Sequence, residues 1–555
     1  MNRKFYPYLI LISAIFFFIP FLGSVHLFDW DEINFAESAR EMIVTGNFSC
    51  VQIDFHPFWE KPPLFFWIQV LSMKLFGINE FAARLPNAII GILSLLTLYF
   101  LGKKMYDEKF GLIWALAYMG SFLPHIYFKS GIIDPLFNFF IFMAVVFLAK
   151  SINEITGSKS FKYALFAGIS IGLATLTKGP VGLLITGISV LVYWIIMKFK
   201  RISNWKNILI FAASCFVITT LWFGPEMINN GFWFIREFIK YQSELFLKPV
   251  AGHSGPIYYH FLIVFLGCFP ISVLALPVFF MKKDETRDEG TYFLKWMFIL
   301  FWVVMILFTI VKTKIVHYSS LTYYPLSFLA TYFIYELLNK RADFKKYIVW
   351  LLSITGAVFS ILLICLPLVP KYKDLIIPFI KDDFVIDCLN SPVKWNGYEF
   401  LIGAGYLIFI LFTIILIKRK QFLKGIITLF YATAFCIFFY MKAVVPKIEG
   451  YSQAPAINFY QSLSGKNVYV STVGFYSYAP FFYFQKKPGE NNKSSDINWL
   501  LNGEIDKPVY IVAKSTWKYF FLKYPDFRFI KQEGGFLFYY RIPHNAVDNS
   551  YPVKK

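Results

Sequence analysis

Apolar runs long enough to cross a bilayer recur from the amino end to about residue 443, and they constrain the fold more than any other feature. A spanning helix needs about 17–25 mostly apolar residues, and in lipid every backbone polar group must be paired within the protein, which leaves helices as the solution for such runs. Runs of this kind lie near 5–22, 85–101, 110–127, 134–149, 163–177, 180–197, 208–223, 259–281, 296–311, 319–338, 347–369, 400–417 and 424–442. The composition agrees, since 57% of the 555 residues are hydrophobic and only 16% charged, against about 25% charged in soluble domains. The expected fold class is therefore a polytopic α-helical membrane protein with about thirteen transmembrane helices.

The formal charge of +20 does not point to nucleic acid, because the basic residues fall between apolar runs. Lys103-Lys104, Lys198 with Lys200-Arg201, Lys282-Lys283, Lys340-Arg341 with Lys345-Lys346, and Lys418-Arg419-Lys420 each mark a cytoplasmic loop. That assignment places the amino end inside and residues 23–84, 128–134, 224–258 and 370–399 outside. Phe5–Leu22 reads as a retained signal anchor, because no small-residue cleavage site follows it. The short apolar stretch "PLFFWIQVLSMKLFG" (63–77) reads as a helix dipping into the outer leaflet. Six cysteines are widely spaced with no CxxC pair; Cys50 and Cys388 would share the outer side, where two unrelated thiols are expected rather than a bridge.

Beyond residue 443 the pattern changes. "KNVYVSTVG", "KPVYIVAKS", "FRFI" and "FLFYYRI" read as strands, the last two as a hairpin across "KQEGG", and "APAINFYQSLSG" as a helix ended by Gly465. Residues 1–443 thus form a membrane domain with a large first outer loop, 23–84, and residues 444–555 a soluble α/β domain outside the membrane. The latter shows no catalytic constellation, so a scaffolding or acceptor-positioning role is expected of it.

The first outer loop carries "HLFDWDEINFAESAREM" (26–42), crowded with acids in a chain poor in them. As a helix it places Asp31, Phe35, Ala39 and Met42 on one stripe and Glu37, Arg40 and Glu41 on the other, an amphipathic helix suited to the outer membrane surface. Asp29 with Glu32 has the spacing of an acidic capping box, but that leaves Asp31 unexplained on the apolar side. Cations that outward loops should lack also stand there: Lys61, Arg84, Lys129, Lys178, Lys312 and Lys314. Lys178 suits a helix C-terminus and the others can snorkel; together they suggest an anionic ligand such as a lipid phosphate. Asp134 before Pro135 either caps a helix or faces Asp31 across a cavity. Glu60, His56, His253 and His317 are candidate metal ligands, although no spacing requires a metal. A lipid-linked-sugar transporter would show internal repeats and polar residues at the bilayer midplane; here the ionisable groups gather at the rim and no repeat is visible.

In order along the chain, "DWDEINFAESAREM", "WEKPPLFFW", "NEFAARLP", "IIDPLFNFF", "LTKGPVGLL" and "KIVHYSSLTYYPLSFLA" resemble the GT-C-fold glycosyltransferases that use polyprenyl-phosphate sugars. The branch they look like holds the lipid A 4-amino-4-deoxy-L-arabinose transferases, which are related to protein O-mannosyltransferases. The resemblance implies catalytic roles for Asp31, Glu32 and Asp134, and substrate binding by Glu60, Lys61, Arg84, Lys178, Lys314, His317 and Tyr318. It implies a bacterial inner-membrane enzyme with a periplasmic carboxyl-terminal domain, an undecaprenyl-type phosphate-sugar donor, a lipid or protein acceptor and no required cofactor, a divalent metal remaining possible. One departure is plain: Asn34 and Phe35 stand where that branch usually has Arg and Tyr.

Overall fold

A computed structural model describes residues 3–154, 158–247, 254–281, 289–489 and 491–543. Among them, eight helices are long and apolar enough to cross a membrane: Glu80–Met105, Asp134–Asn153, Ser158–Lys178, Trp205–Asn230, Gly290–Ile310, Lys346–Phe379, Phe400–Lys418 and Phe422–Ala443. A ninth candidate is a bent pair of helices. Where one span was expected over 259–281, Tyr259–Gly267 and Ile271–Phe279 meet at a bend of 105°, at Pro270, which cannot donate to the helical ladder. The 224–258 segment, expected as a loop, contains a helix over Phe232–Leu247, and 63–77 contains one over Leu64–Phe76.

The bundle packs by backbone approach and aromatic filling. Gly102 and Gly111 let two helices touch so closely that a Cβ on Gly102 would stand 2.8 Å from the Gly111 Cα, the kind of small-residue contact that helices in lipid rely on. Trp114, Tyr118, Phe142, Tyr324 and Phe328 fill the interior, with Phe142 stacked on Tyr324 at 4.5 Å. Two of their polar atoms are satisfied inside: Trp114 Nε1 donates to Ser327 Oγ at 3.0 Å, and Tyr324 OH lies 2.8 Å from Ser94 Oγ.

In the first loop a two-residue pair, β1 (Gln52–Ile53) with β2 (His56–Pro57), folds over the Asp31–Thr45 helix. The expected carboxyl-terminal strands are present as β3 (Tyr469–Val473), β4 (Val509–Lys514), β5 (Arg528–Glu533) and β6 (Phe536–Arg541). Their order is β3-β4-β6-β5, with β3 parallel to β4 and the other pairs antiparallel. Gly534 turns the β5–β6 hairpin at φ +56°, a backbone conformation that glycine adopts without steric cost. The expected helix spans Ala454–Leu463.

This sheet domain does not hang free. Its Tyr460, Phe482, Tyr483 and Phe538 share one core with Ile33, Phe35 and Met42 of the first-loop helix and with Phe65 and Phe66. Tyr483 OH accepts from Leu27 N at 2.7 Å, Gln453 Nε2 donates to Leu27 O at 2.9 Å, and Lys486 pairs with Asp54. The Asp31–Thr45 helix is thereby enclosed on both faces. Its Glu37, Arg40 and Glu41, expected to face outward on an amphipathic surface helix, are buried. All six cysteines are free.

Candidate active site

Asp31, Glu60, Asp134, Lys61 and Lys178 meet at a cavity of about 490 Å³. Asp31 opens the first-loop helix, and Asn34 and Phe35, three and four residues on, share its cavity-facing stripe. Asp134 is the first residue of one bundle helix and Lys178 the last of the next, so the start of one meets the end of the other. The 3₁₀ turn Val316–Thr322 supplies His317 and Tyr318.

These groups form one connected set. His317 Nε2 lies 3.4 Å from Asp31 Oδ2 and 3.7 Å from Asp134 Oδ2, and Lys178 Nζ donates to Asp134 Oδ1 at 2.5 Å. Lys178 also stands over the Tyr318 ring at 5.2 Å. Beside them Lys61 Nζ is 3.8 Å from Glu60 Oε2 and 5.1 Å from the Tyr241 ring centre. Burial pulls the Lys61 ammonium below the usual lysine range and neighbouring Lys178 adds to this, while Glu60, Asp31 and Asp134 oppose it. Phe137, Val181, Ile185, Phe308, Val311 and Leu321 give the cavity an apolar wall.

Two expected capping roles are not what these acids do. Asp134 begins its helix without capping it, and its carboxylate faces Lys178 and His317. No side chain caps the Asp31–Thr45 helix. Asp29 instead accepts from Tyr478 N at 3.4 Å, and burial pushes the pKa of its carboxyl above the usual carboxylate range.

Other expected site residues lie at or beyond the edge of this set, held by the protein itself. Glu32 borders the cavity, but its carboxylate accepts from Arg84 (3.1 and 2.7 Å), from Phe28 N at 2.9 Å and from Gly131 N at 2.5 Å. Although burial opposes it, this ring of donors holds the carboxyl below its usual range. Arg84 further donates to the carbonyls of Leu22, Val25 and His26. Lys314 Nζ is bonded to the carbonyls of Phe308 and Thr309, and Lys129 Nζ to those of Phe17, Phe18 and Pro20. Both lysines therefore close open helix ends. Of the cations singled out in the sequence, Lys61 and Lys178 line the cavity.

His56 is exposed on β2 and does not line the cavity, and His253 lies outside the described residues. Among the described residues no group of three or more His, Cys, Asp or Glu side chains is placed to hold a metal ion.

Among the cavity residues that the sequence did not single out are Tyr241, Gln242 and Tyr478. Tyr241 and Gln242 come from the Phe232–Leu247 helix, whose period of apolar residues in "FWFIREFIKYQSELFL" carried the signal. Tyr478 comes from the sheet domain, and nothing local in its sequence announces it. Asn34 Oδ1 is buried at the cavity wall with no hydrogen-bond partner among the described residues.

Known proteins are similar to this chain in sequence and in fold. The family model for dolichyl-phosphate-mannose-protein mannosyltransferase matches residues 60–223. An undecaprenyl phosphate-alpha-4-amino-4-deoxy-L-arabinose arabinosyl transferase of Wigglesworthia glossinidia brevipalpis is 27% identical over 382 residues, covering 67% of this chain and 65% of that protein. A Proteus mirabilis protein of the same description is 30% identical over 352 residues, 60% of each. The matches thus take in less than two thirds of those relatives' own lengths. The crystal structure of ArnT from Cupriavidus metallidurans bound to undecaprenyl phosphate has the same fold at a TM-score of 0.72, with 17% identity over 96% of this chain and 97% of that one. In sequence and fold the chain is thus similar to the GT-C-fold polyprenyl-phosphate-sugar glycosyltransferases, protein mannosyltransferases and undecaprenyl-phosphate-aminoarabinose transferases among them.

Proposed function

We propose that this protein moves a sugar from an undecaprenyl-type phosphate carrier to an acceptor at the periplasmic face of a bacterial inner membrane. The observation that carries the reading is the meeting of Asp31, Asp134 and His317 with Lys178 and Lys61 in one cavity with an apolar wall. A prenyl chain needs the apolar wall, its phosphate needs the ammonium groups, and a hydroxyl acceptor needs a base.

The acceptor oxygen attacks the anomeric carbon as the bond from that carbon to the phosphate oxygen breaks. The bonding pair leaves with the prenyl phosphate, and the acceptor proton passes to Asp31, the general base. Lys61 and Lys178 stabilise the charge growing on the phosphate, the kind of fixed electrostatic contribution that is usually the largest in catalysis. His317 and Asp134 hold Asp31 and Lys178 in register. Glu60 and Tyr318 complete the binding wall, while Glu32, Arg84 and Lys314 support it from behind. No cofactor is needed, because the two lysines meet the leaving group's charge.

In this reading the protein crosses the membrane thirteen times, the shorter helices Tyr6–Phe18, Glu108–Met119, Val181–Ile196 and Tyr323–Leu338 joining the longer ones. The amino end is then cytoplasmic, and residues 444–555 form the periplasmic domain. The acceptor is an envelope glycolipid such as lipid A. Purified protein in vesicles, given radiolabelled undecaprenyl-phosphate sugar and an envelope lipid extract, should move label into the glycolipid fraction. Label that stays on the carrier with every extract, or that enters protein instead, contradicts the reading.

A further inference from the structure

We propose that Trp30, Tyr476 and Tyr478 form a subsite that seats a pyranose ring of the acceptor. This rests on the transferase reading and adds to it the place where the acceptor's sugar is held.

The three rings meet at the junction of the first loop and the sheet domain. Trp30 lies 5.4 Å from Tyr476 and 5.4 Å from Tyr478, and the two tyrosines are 5.1 Å apart at 89°. Tyr478 is 8% exposed, but Trp30 is 42% and Tyr476 59% exposed, so the cluster leaves ring faces open. Trp30 and Tyr478 also line the cavity that holds Asp31, the residue next to Trp30. Asp29 holds the tyrosine segment in place through Tyr478 N, at 3.4 Å, and the Ser477 hydroxyl.

Open aromatic faces suit the apolar C–H face of a pyranose, as large rigid amphipathic rings suit recognition generally. Asp29 and Glu60 lie near enough to act electrostatically on both tyrosines, and carboxylates accept hydrogen bonds from ring hydroxyls. Simple anchoring in the headgroup layer, the usual place for exposed Trp and Tyr, fits poorly, because the same carboxylates would repel anionic headgroups. The subsite is also distinct in origin from the donor's wall. Phe137, Val181, Ile185, Phe308 and Val311, with Lys178, come from bundle helices or their ends, whereas the triad comes from the first loop and the sheet domain. A second substrate reaching Asp31 past the sheet domain would pass over it.

The test uses the full chain in detergent and saturation-transfer NMR with a panel of soluble methyl pyranosides, in the presence of undecaprenyl phosphate. Saturation should reach the ring C–H protons of at least one pyranoside. It should fall by at least about fivefold in Trp30→Ala and Tyr476→Ala, persist in Tyr476→Phe, and leave undecaprenyl phosphate binding unchanged in all three. Equal saturation in wild type and Trp30→Ala, no saturation with any pyranoside, or displacement of the pyranoside by undecaprenyl phosphate overturns the subsite. Failure of the wild type to bind undecaprenyl phosphate defeats the transferase reading instead, independently of the pyranoside signal.

Discussion

The first-loop helix carries two sets of charges that share residue types and near-adjacent positions but differ in their partners. On one side Asp31 opens onto the cavity with His317, Asp134, Lys178 and Lys61. On the other, Glu32 is bound by Arg84 and two backbone amides, and Arg40 makes two bonds to Glu37, at 2.7 and 2.6 Å, beside Glu41. Apart from Glu41 Oε1, which is buried without a hydrogen-bond partner among the described residues, the rear set is closed by the protein, donor matched to acceptor. The front set keeps lone pairs and ammonium protons turned toward open volume, and only such groups can do work on a substrate. Whether a charge has its full complement of protein partners, rather than its identity, separates support from chemistry.

The sharpest way to break this contrast is to remove one rear partner. Glu32→Gln leaves the Arg84 guanidinium buried without its counter-charge, a change that costs about 3–5 kcal/mol in comparable buried pairs. The expected result is a large loss of folded protein by size-exclusion chromatography and a lower Tm, while any surviving fraction still binds donor. A Glu32→Gln protein of normal Tm that cannot bind donor would move Glu32 to the front set.

Next in size are the front lysines. Lys61→Ala and Lys178→Ala should each weaken undecaprenyl phosphate binding by about 10- to 100-fold, as expected for lost charge-assisted hydrogen bonds, with little change in Tm for Lys61→Ala and a lower Tm for Lys178→Ala, which leaves the buried Asp134 without its ammonium partner. Burial lowers the Lys61 pKa from 10.5, so its charge is present below the lowered value and lost as pH rises through it. Donor affinity should therefore fall on the alkaline side before pH 10.5 is reached, and Lys61→Arg should shift that limb upward.

A smaller effect sharpens the account of the rear set. Burial, then Glu37, push the Glu41 carboxyl up to about 9. The folded protein keeps a proton that the unfolded chain releases above about pH 4.5, so stability falls as pH rises between those values. Glu41→Gln can still accept from Phe55 N, as Glu41 does at 2.9 Å, and does not titrate. Its Tm should match wild type near pH 5 and exceed it by a few degrees at pH 8, as read by thermal melts at the two pH values. The smallest expected effect is at Asn34, which lines the cavity and whose buried Oδ1 has no hydrogen-bond partner among the described residues: Asn34→Ala should raise the donor KM by about 3- to 10-fold, the worth of one hydrogen bond.

Much of this was legible in the sequence because it is local. Apolar run length exposed the helices, alternation the strands, and acids or lysines in the wrong solvent exposed Asp31, Asp134, Lys61 and Lys178. What escaped was non-local. Arg84 was read as a ligand-binding cation because nothing in "AARLP" shows that its partners are the carbonyls of Leu22, Val25 and His26. Lys314 and Lys129 hid in the same way. Tyr478 reaches the site only through a domain packed across the first loop, 449 residues from the Asp29 that holds it. The break within 259–281 did have a local sign, Pro270, which a hydropathy pattern alone passes over.

The most direct measurement is single-turnover transfer from labelled undecaprenyl-phosphate sugar by Asp31→Asn, compared with wild type at equal donor occupancy. The rate should drop roughly 100- to 10,000-fold, the usual worth of a positioned general base, while Tm and undecaprenyl phosphate affinity stay at wild-type values. Transfer at the wild-type rate would contradict the claim that this cavity's carboxylates carry the chemistry.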